Sequence, residues 1–395
     1  MNIKKSNDAF HQSSIKVPFF APWITRDDKK AVLGSLNAPL LTDGPKLREF
    51  EKAFCKFTGA KFAIGVSNAT SALHLSLKAL GIGKGDEVIV PDMTFVATAN
   101  AVVHTGATPV LVDVEKDDMN ISIESIERNL TSKTRAILPV HFAGKVCNIK
   151  EIMRIARSNK LLVIEDCAHA IGARFEGKHV GNFGNVGCFS FYPTKNITTI
   201  EGGMVITNSS KIAKYVMSAR NHGITKSLSQ RYSKGKPWEY DILESGYNFR
   251  LDEVRASLGL SQLKRIRKLN LMRRKAFQYY NSKLQKIDGI ITPKLGEAED
   301  NVFHLYIAKI QSRKVTRDKM FKKLLQSGIR TSVHYKPLHE FSVFSDKVNK
   351  NENLNNSKSA YNEIISLPFY PNITKKQQNL VVNSINEIMR NSNKN

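Results

Sequence analysis

The chain is predicted to be an α/β protein: a large, mainly parallel sheet domain covered by helices, followed by a smaller α+β C-terminal domain. Three observations carry that expectation. From residue 63 to residue 166 short apolar runs alternate with helix-period segments, and strand–helix alternation of this kind builds a parallel sheet with helices on both faces. Beyond Lys275 the alternation gives way to mixed strand-like and helical stretches. The length, 395 residues of which 41% are hydrophobic, allows a large core and more than one domain. The division read from the pattern is a loose tail at 1–16, a large domain at 17–260 and a small one at 261–395.

Taken in order, Met1–Lys16 is polar and Val17–Trp23 an aromatic, proline-containing lead-in. Thr25–Leu36 and Pro45–Phe57 read as helices, the second with Leu47, Phe50, Phe54 and Phe57 spaced for one face. Ala63–Val66 is a strand that runs into Ser67–Ser71, with a helix over Ala72–Leu80. Free N–H groups and the helix dipole make such an N-terminus a phosphate site, and the Ser and Thr hydroxyls add donors. Plain N-capping by Asn68 or Ser71 is the alternative. Strands follow at Glu87–Val90, Pro109–Val114, Arg135–His141 and Leu161–Asp166, with helices at Val96–His104, Ile123–Leu130 and Lys150–Ser158. In parallel sheets functional groups gather at the C-terminal strand ends, where Thr70 and Asp166 fall.

The stretch Gly187–Asn208 organises the rest. Cys188–Tyr192 reads as a buried strand, then come Pro193, Thr194 and Lys195, the small turn Gly202-Gly203, and a second apolar run, Met204–Thr207. Partial burial beside two strands lowers a lysine's pKa, and only the neutral amine attacks a carbonyl. A surface lysine in a turn is the competing reading. Asn221–Ser245 reads as a long loop, and the segment from Gly246-Tyr247-Asn248-Phe249-Arg250 leads into one long helix whose buried side runs from Leu251 to Leu269. Val302–Ile310 and Thr331–His334 read as strands, Thr316–Ser327 and Thr374–Arg390 as helices, and Ser345–Ser359 as an exposed loop.

Composition narrows the function classes. The net charge of +25 suits a solvated basic surface or a field for anionic small molecules; no zinc-finger or RRM signature points to nucleic acid. Cys55, Cys147, Cys167 and Cys188 show no metal spacing, so no metal is expected, and buried reduced thiols suit a reducing compartment. With no apolar stretch of membrane-spanning length and no secretory h-region, a cytoplasmic protein is expected.

The stretches SNATSALHLSLKALGIGKGDEVIVPDMTFVATANAV, VIEDCAHAIGA, FSFYPTKNITTIEGGMV and GYNFRLDEVRASLGLSQL occur in this order. Together they resemble the DegT/DnrJ/EryC1/StrS family of pyridoxal-phosphate sugar aminotransferases, over Pro22 to His339. The resemblance implies the fold-type I aminotransferase architecture, pyridoxal 5'-phosphate as cofactor, and a homodimer with shared active sites. Lys195 matches the lysine that bonds the cofactor, and Asp166 the acid facing its pyridine nitrogen. His169 matches the group on the phenolic oxygen and Phe95 the ring stacked on the pyridine. Ala69, Thr70 and Ser190 match the phosphate-binding positions, although relatives often have Gly where Ala69 stands. Asn248 matches an asparagine reaching in from the neighbouring subunit. Tyr192 stands where relatives often have His, and Arg250, His334 and Tyr335 lie in substrate-contacting stretches.

The implied reaction moves an amino group from L-glutamate to a nucleotide-linked 4-keto-6-deoxysugar, at C4, with UDP ahead of GDP and dTDP, for amino-sugar and surface-glycan synthesis. A C3-keto-sugar or cyclitol aminotransferase, a sugar dehydratase of the same family, and a non-catalytic nucleic-acid-binding protein are the alternatives. An intact Lys195 and Asp166 argue against the last two.

Overall fold

The computed structural model describes residues 15–224, 226, 236–242, 244–296, 299–347 and 352–391. Helices α1 (Arg26–Leu36) and α2 (Pro45–Thr58) come first. There follow β1 (Phe62–Val66), α3 (Ala69–Ala79), β2 (Glu87–Pro91), α4 (Ala97–Val103), β3 (Thr108–Val112), α5 (Ile123–Arg128), β4 (Thr134–Ile137), α6 (Ile149–Ser158) and β5 (Leu162–Asp166). A small hairpin, β6 (Arg174–Phe175) and β7 (Lys178–His179), precedes β8 (Val186–Ser190), β9 (Gly203–Thr207) and α7 (Ser210–Ala219). The large sheet has seven strands in the order β1-β9-β8-β5-β4-β2-β3. Only β9 runs antiparallel to its neighbours β1 and β8, so the sheet is mainly parallel, as expected.

Strand alternation sends neighbouring side chains to opposite faces, and two cores form. Ile89, Val163, Phe189 and Met204 join Leu47, Phe50 and Phe54 of α2 and Ile152 and Ile155 of α6 on one face. Val88, Val90, Ile164 and Val205 join α3, α4 and α7 on the other. Fully burying one such aliphatic or aromatic side chain contributes roughly 1.5–3 kcal/mol, so these two layers fix the strand ends around which the site is built.

Helix α8 (Glu253–Leu263) packs on α1 and α2 and adds Ala256 and Leu263 to the first of these cores. The second part contains α9 (Ile266–Leu284), a three-stranded antiparallel sheet of β10 (Ile290–Ile291), β11 (Tyr306–Ile310) and β12 (Ile364–Leu367), then α10 (Arg317–Gln326), α11 (Asn355–Glu363) and α12 (Lys375–Asn391). Its core gathers Phe277, Tyr280, Tyr306, Met320 and Val381. Among the described residues no helix is long and apolar enough to cross a membrane.

Four expectations need correction. The long helix after Arg250 is two helices, broken at Arg265 with φ −107° and ψ 0°; Arg265 Nη2 donates to Asp28 Oδ2 and to the Trp23 carbonyl. The helix expected from Ala72 starts at Ala69, because the Asn68 side chain accepts from Ser71 N–H and sets the cap. Thr331–His334 makes a single bridge, Ser332 with Ser366, rather than a strand. Within the expected loop 345–359, residues 348–351 lie outside the described residues, but Asn355 opens α11 and Ser357 is fully buried, donating to Asp92 Oδ2. The expected loose tail lies outside the described residues up to position 14; Lys16 N–H is bonded to the Gly328 carbonyl. Residues 225, 227–235 and 243 of the expected loop 221–245 also lie outside them.

Candidate active site

A cavity of about 520 Å³ opens at the C-terminal ends of β2, β5 and β8 and the N-terminus of α3. Its wall includes Ala69, Thr70, Phe95, Asp166, His169, Ser190, Tyr192, Lys195, His334 and Tyr335. Residues separated by up to 266 positions in sequence thus face one volume. Arg250 and Asn248 are not brought there. Arg250 Nη1 donates to Asn221 Oδ1 at 2.7 Å, and Asn248 is exposed, bridged to Asn221.

Lys195 sits on a turn in the connection from β8 to β9, its N–H bonded to the Tyr192 carbonyl at 2.9 Å. The residue is only partly exposed, and crowding around its amine lowers the pKa to about 8, with Asp166 pulling weakly the other way. Asp166 ends β5. Alternation separates it from Glu165, whose carboxylate is consumed by the N–H groups of Gly181, Phe183 and Gly184 and by His141 Nε2. Asp166 accepts from Ala168 N–H and from the Thr98 hydroxyl, each at 3.0 Å. Burial holds its carboxyl above the usual carboxylate range, and those two donors and Lys195 oppose the rise.

Two neutral imidazoles and a phenol complete the wall. His169 Nε2 meets the Tyr335 hydroxyl at 3.1 Å. Burial, then Lys195 and His334, hold the His169 imidazole well below its usual pKa. His334 is lowered to about 4 by burial and Lys195; its Nδ1 lies 2.8 Å from Ser366 Oγ. Burial raises the Tyr335 phenol, with Asp166 adding to it. Phe95 is 56% exposed, its ring open on the cavity.

Gly203 lies so close to the start of α3 that an added Cβ would stand 2.5 Å from the Asn68 carbonyl carbon. The Gly202-Gly203 turn seen in the sequence therefore lets β9 approach the helix N-terminus.

Sequence reasoning missed Thr98, Thr94, Glu201, Asn196 and His304. Thr94 and Thr98 carried a partial signal, since both hydroxyls follow the end of β2, Thr94 in the bend before α4 and Thr98 in its first turn. His304 carried none.

The donor set suits pyridoxal phosphate. The α3 N-terminus with Thr70 and the Ser190 hydroxyl offers an anion cradle, Phe95 offers a ring face, and Asp166 offers a buried acceptor. His169 Nδ1 is buried without a hydrogen-bond partner, a polar atom that a bound group's oxygen would satisfy.

A model of the DegT/DnrJ/EryC1/StrS aminotransferase family matches residues 22–386. The spore coat polysaccharide biosynthesis protein SpsC of Bacillus subtilis is 36% identical, covering 95% of this chain and 97% of its own. Among solved structures, PseC of Helicobacter pylori, an aminotransferase involved in the biosynthesis of pseudoaminic acid, superposes with a TM-score of 0.88 at 30% identity, covering 95% of this chain and 99% of its own. The sugar aminotransferase Spr1654 of Streptococcus pneumoniae, described as putative and in its PMP-form, superposes with a TM-score of 0.88 at 28% identity, covering 95% of this chain and 100% of its own.

Proposed function

Because this chain belongs to the DegT/DnrJ/EryC1/StrS aminotransferase family, we propose that it moves an amino group from L-glutamate to C4 of a nucleotide-linked 4-keto-6-deoxysugar. The coarser statement stands without proposal: the chain is a pyridoxal-phosphate-dependent sugar aminotransferase with the fold-type I architecture. When bound, the cofactor supplies an aldehyde carbon to carry the amino group and a ring to accept the electron pair released as the donor's Cα proton leaves.

The observation that carries the assignment of residues is Lys195, a cavity lysine that makes no ion pair among the described residues and has a pKa of about 8. Such an amine holds the cofactor aldehyde when neutral, and when displaced it takes a proton from the donor's Cα and returns it. Asp166, held by Thr98 and Ala168, stands as the anion beside the ring nitrogen; a cation placed there draws its carboxyl back toward ionisation. The α3 N-terminus, Thr70 and Ser190 hold the phosphate, Phe95 covers one ring face, and His169 donates to the phenolic oxygen. Tyr192, His334 and Tyr335 line the side left for the sugar. Asn248 completes the site of a partner subunit, in a homodimer.

Support for the acceptor comes from three directions. PseC is described as acting in pseudoaminic acid biosynthesis and SpsC in that of a spore coat polysaccharide. The basic surface, +25 overall, attracts a diphosphate. The wording FSFYPTKNITTIEGG resembles the branch acting on UDP-linked sugars. The test is an absorbance titration of the purified enzyme with L-glutamate, followed by UDP-, GDP- and dTDP-4-keto-6-deoxysugars. Bleaching of the lysine-bound cofactor band by glutamate, and its return with the UDP sugar before the others, is the expected result. Recovery only with a 3-keto sugar or a cyclitol ketone overturns the proposed acceptor.

A further inference from the structure

We infer that Asn196 and His304, neither on the wall of the 520 Å³ cavity, form a positioning relay that fixes the Lys195 turn and backs the His169 ring. The inference rests on the reading of Lys195 as the reactive amine. It starts from the hydrogen-bond count of one amide. Asn196 is 3% exposed. Its Nδ2 donates to Asn270 Oδ1 at 2.8 Å and to the Val302 carbonyl at 3.0 Å. Both amide hydrogens are then spent on acceptors, which orients the group. Asn270 is oriented in the same way, since its Nδ2 donates to the Ile171 carbonyl at 3.1 Å.

Asn196 Oδ1 can only accept, and it lies 3.2 Å from His304 Nδ1. His304 Nδ1 therefore carries the hydrogen. The His304 ring, 3% exposed, lies tilted against His169, centroids 4.4 Å apart and planes 35° apart. Burial is the main reason His304 stays neutral, and His169, Lys195 and Arg273 beside it add to this. A neutral Nδ1–H imidazole is thus wedged between the residue next to Lys195 and the histidine of the cavity wall, and His169 passes the contact on to Tyr335.

The wedge has a mechanical consequence. Lys195 lies in a turn and has no strand ladder to hold it. Asn196 ties that turn to α9 through a part-buried bond and to the segment before β11 through a buried one. Without the His304 donor, Asn196 Oδ1 is a buried acceptor with no partner, which favours rotation of the amide and loosening of the turn. Water admitted to the amine raises its pKa.

The experiment compares His304→Phe, which keeps a ring face and removes the donor, with His304→Asn, whose amide N–H stands near the lost Nδ1–H. The first readout uses cofactor-free protein: the pH dependence of Lys195 acylation, followed by peptide mass spectrometry. The expected midpoint is near 8 in the natural protein, higher by about one pH unit in His304→Phe, and partly restored in His304→Asn. The second readout is turnover, with kcat down on the order of tenfold in His304→Phe, KM for glutamate changing less, and recovery in His304→Asn. An unmoved acylation profile with natural kcat in a folded His304→Phe protein overturns the relay, as does His304→Asn behaving no better than His304→Phe. If His304→Phe does not fold, Asn270→Ala, at a partly exposed position, removes the acceptor that holds Asn196. A smaller shift in the same direction supports the relay there, and no shift overturns it. Lys195→Ala run alongside separates the two readings: full activity in that variant overturns the lysine assignment itself, whereas an inactive Lys195→Ala beside an unaffected His304→Phe overturns only the relay.

Discussion

A lysine at its ordinary pKa of about 10.4 is neutral in roughly one molecule per thousand near pH 7.4, and at a pKa of about 8 in roughly one of five. The cavity therefore prepares Lys195 for nucleophilic work before any ligand arrives, and this readiness has a thermodynamic consequence. Where the folded pKa lies below the unfolded one, the unfolded state binds more protons between the two values, so stability rises with pH across that window and the full penalty applies below it. Replacing Lys195 by Met removes the penalty. In cofactor-free protein, Lys195→Met is expected to be more stable than the natural protein by about 1–3 kcal/mol at pH 7, with the gap closing as the pH climbs from 8 toward 10. Urea unfolding at a series of pH values checks this, and a gap that widens with pH would contradict a depressed amine. Lys195 and Asp166 were legible in the sequence because their side chains carry the chemistry and stand just past apolar strands. Thr98 and His304 were not, because their importance comes from neighbours 68 and 108 positions away, and local pattern carries no trace of such contacts.

Helix α2 shows where legibility stops among the elements. Its apolar face, Leu47, Phe50, Phe54 and Phe57, was plain in the spacing; the first three are buried as expected and Phe57 is half-buried. Its N-terminus was not plain. Gly44 provides no side-chain cap, and the orphan N–H groups go instead to Glu253 of α8: Gly44 and Leu47 donate to Oε1 at 3.1 and 3.0 Å, and Lys46 to Oε2 at 2.7 Å. A fully buried carboxylate at a helix N-terminus is satisfied by both the N–H groups and the dipole. Glu253→Gln replaces one acceptor oxygen with an N–H₂ group facing the helix donors. The expected cost is about 1–3 kcal/mol, read as a lower urea midpoint with unchanged slope; an unchanged midpoint would mean that the clamp contributes nothing to stability. The same blindness to distant polar partners explains the loop expected at 345–359. Asn, Ser and Glu look solvated in a list of residues, yet Asp92 and Asp113 accept from Ser357 and Asn356, which pins the start of α11 to the sheet. The mainly parallel sheet survived because periodicity reports burial directly, whereas the break at Arg265 leaves the apolar spacing on either side intact and so has no trace in the pattern.

The cavity holds ten of the proposed site residues but not Asn248, and an exposed apolar side chain lies on the strip that carries Asn248. Ile242 is 53% exposed and sits on the strip that pairs Ile224 with Ile242 and Asn221 with Asn248. Large apolar groups left open in this way are the usual material of a protein–protein interface, and a symmetric dimer uses one patch twice. If each site takes Lys195 from one subunit and Asn248 from the other, two defects can be sorted onto different sites. A heterodimer of a Lys195→Ala subunit and an Asn248→Ala subunit carries one site with both residues missing and one with both present. Equal amounts of the two variants, unfolded together and refolded or co-expressed, give heterodimers as half of all dimers, so about a quarter of the sites are intact. Each variant alone is expected to be inactive or unable to retain cofactor, and the mixture to regain about a quarter of natural activity. Activity no greater than the sum of the separate variants would place Asn248 outside the neighbour's site. Natural activity in Asn248→Ala alone would remove that residue from the site altogether, leaving the arrangement around Lys195 and Asp166 to stand within a single subunit.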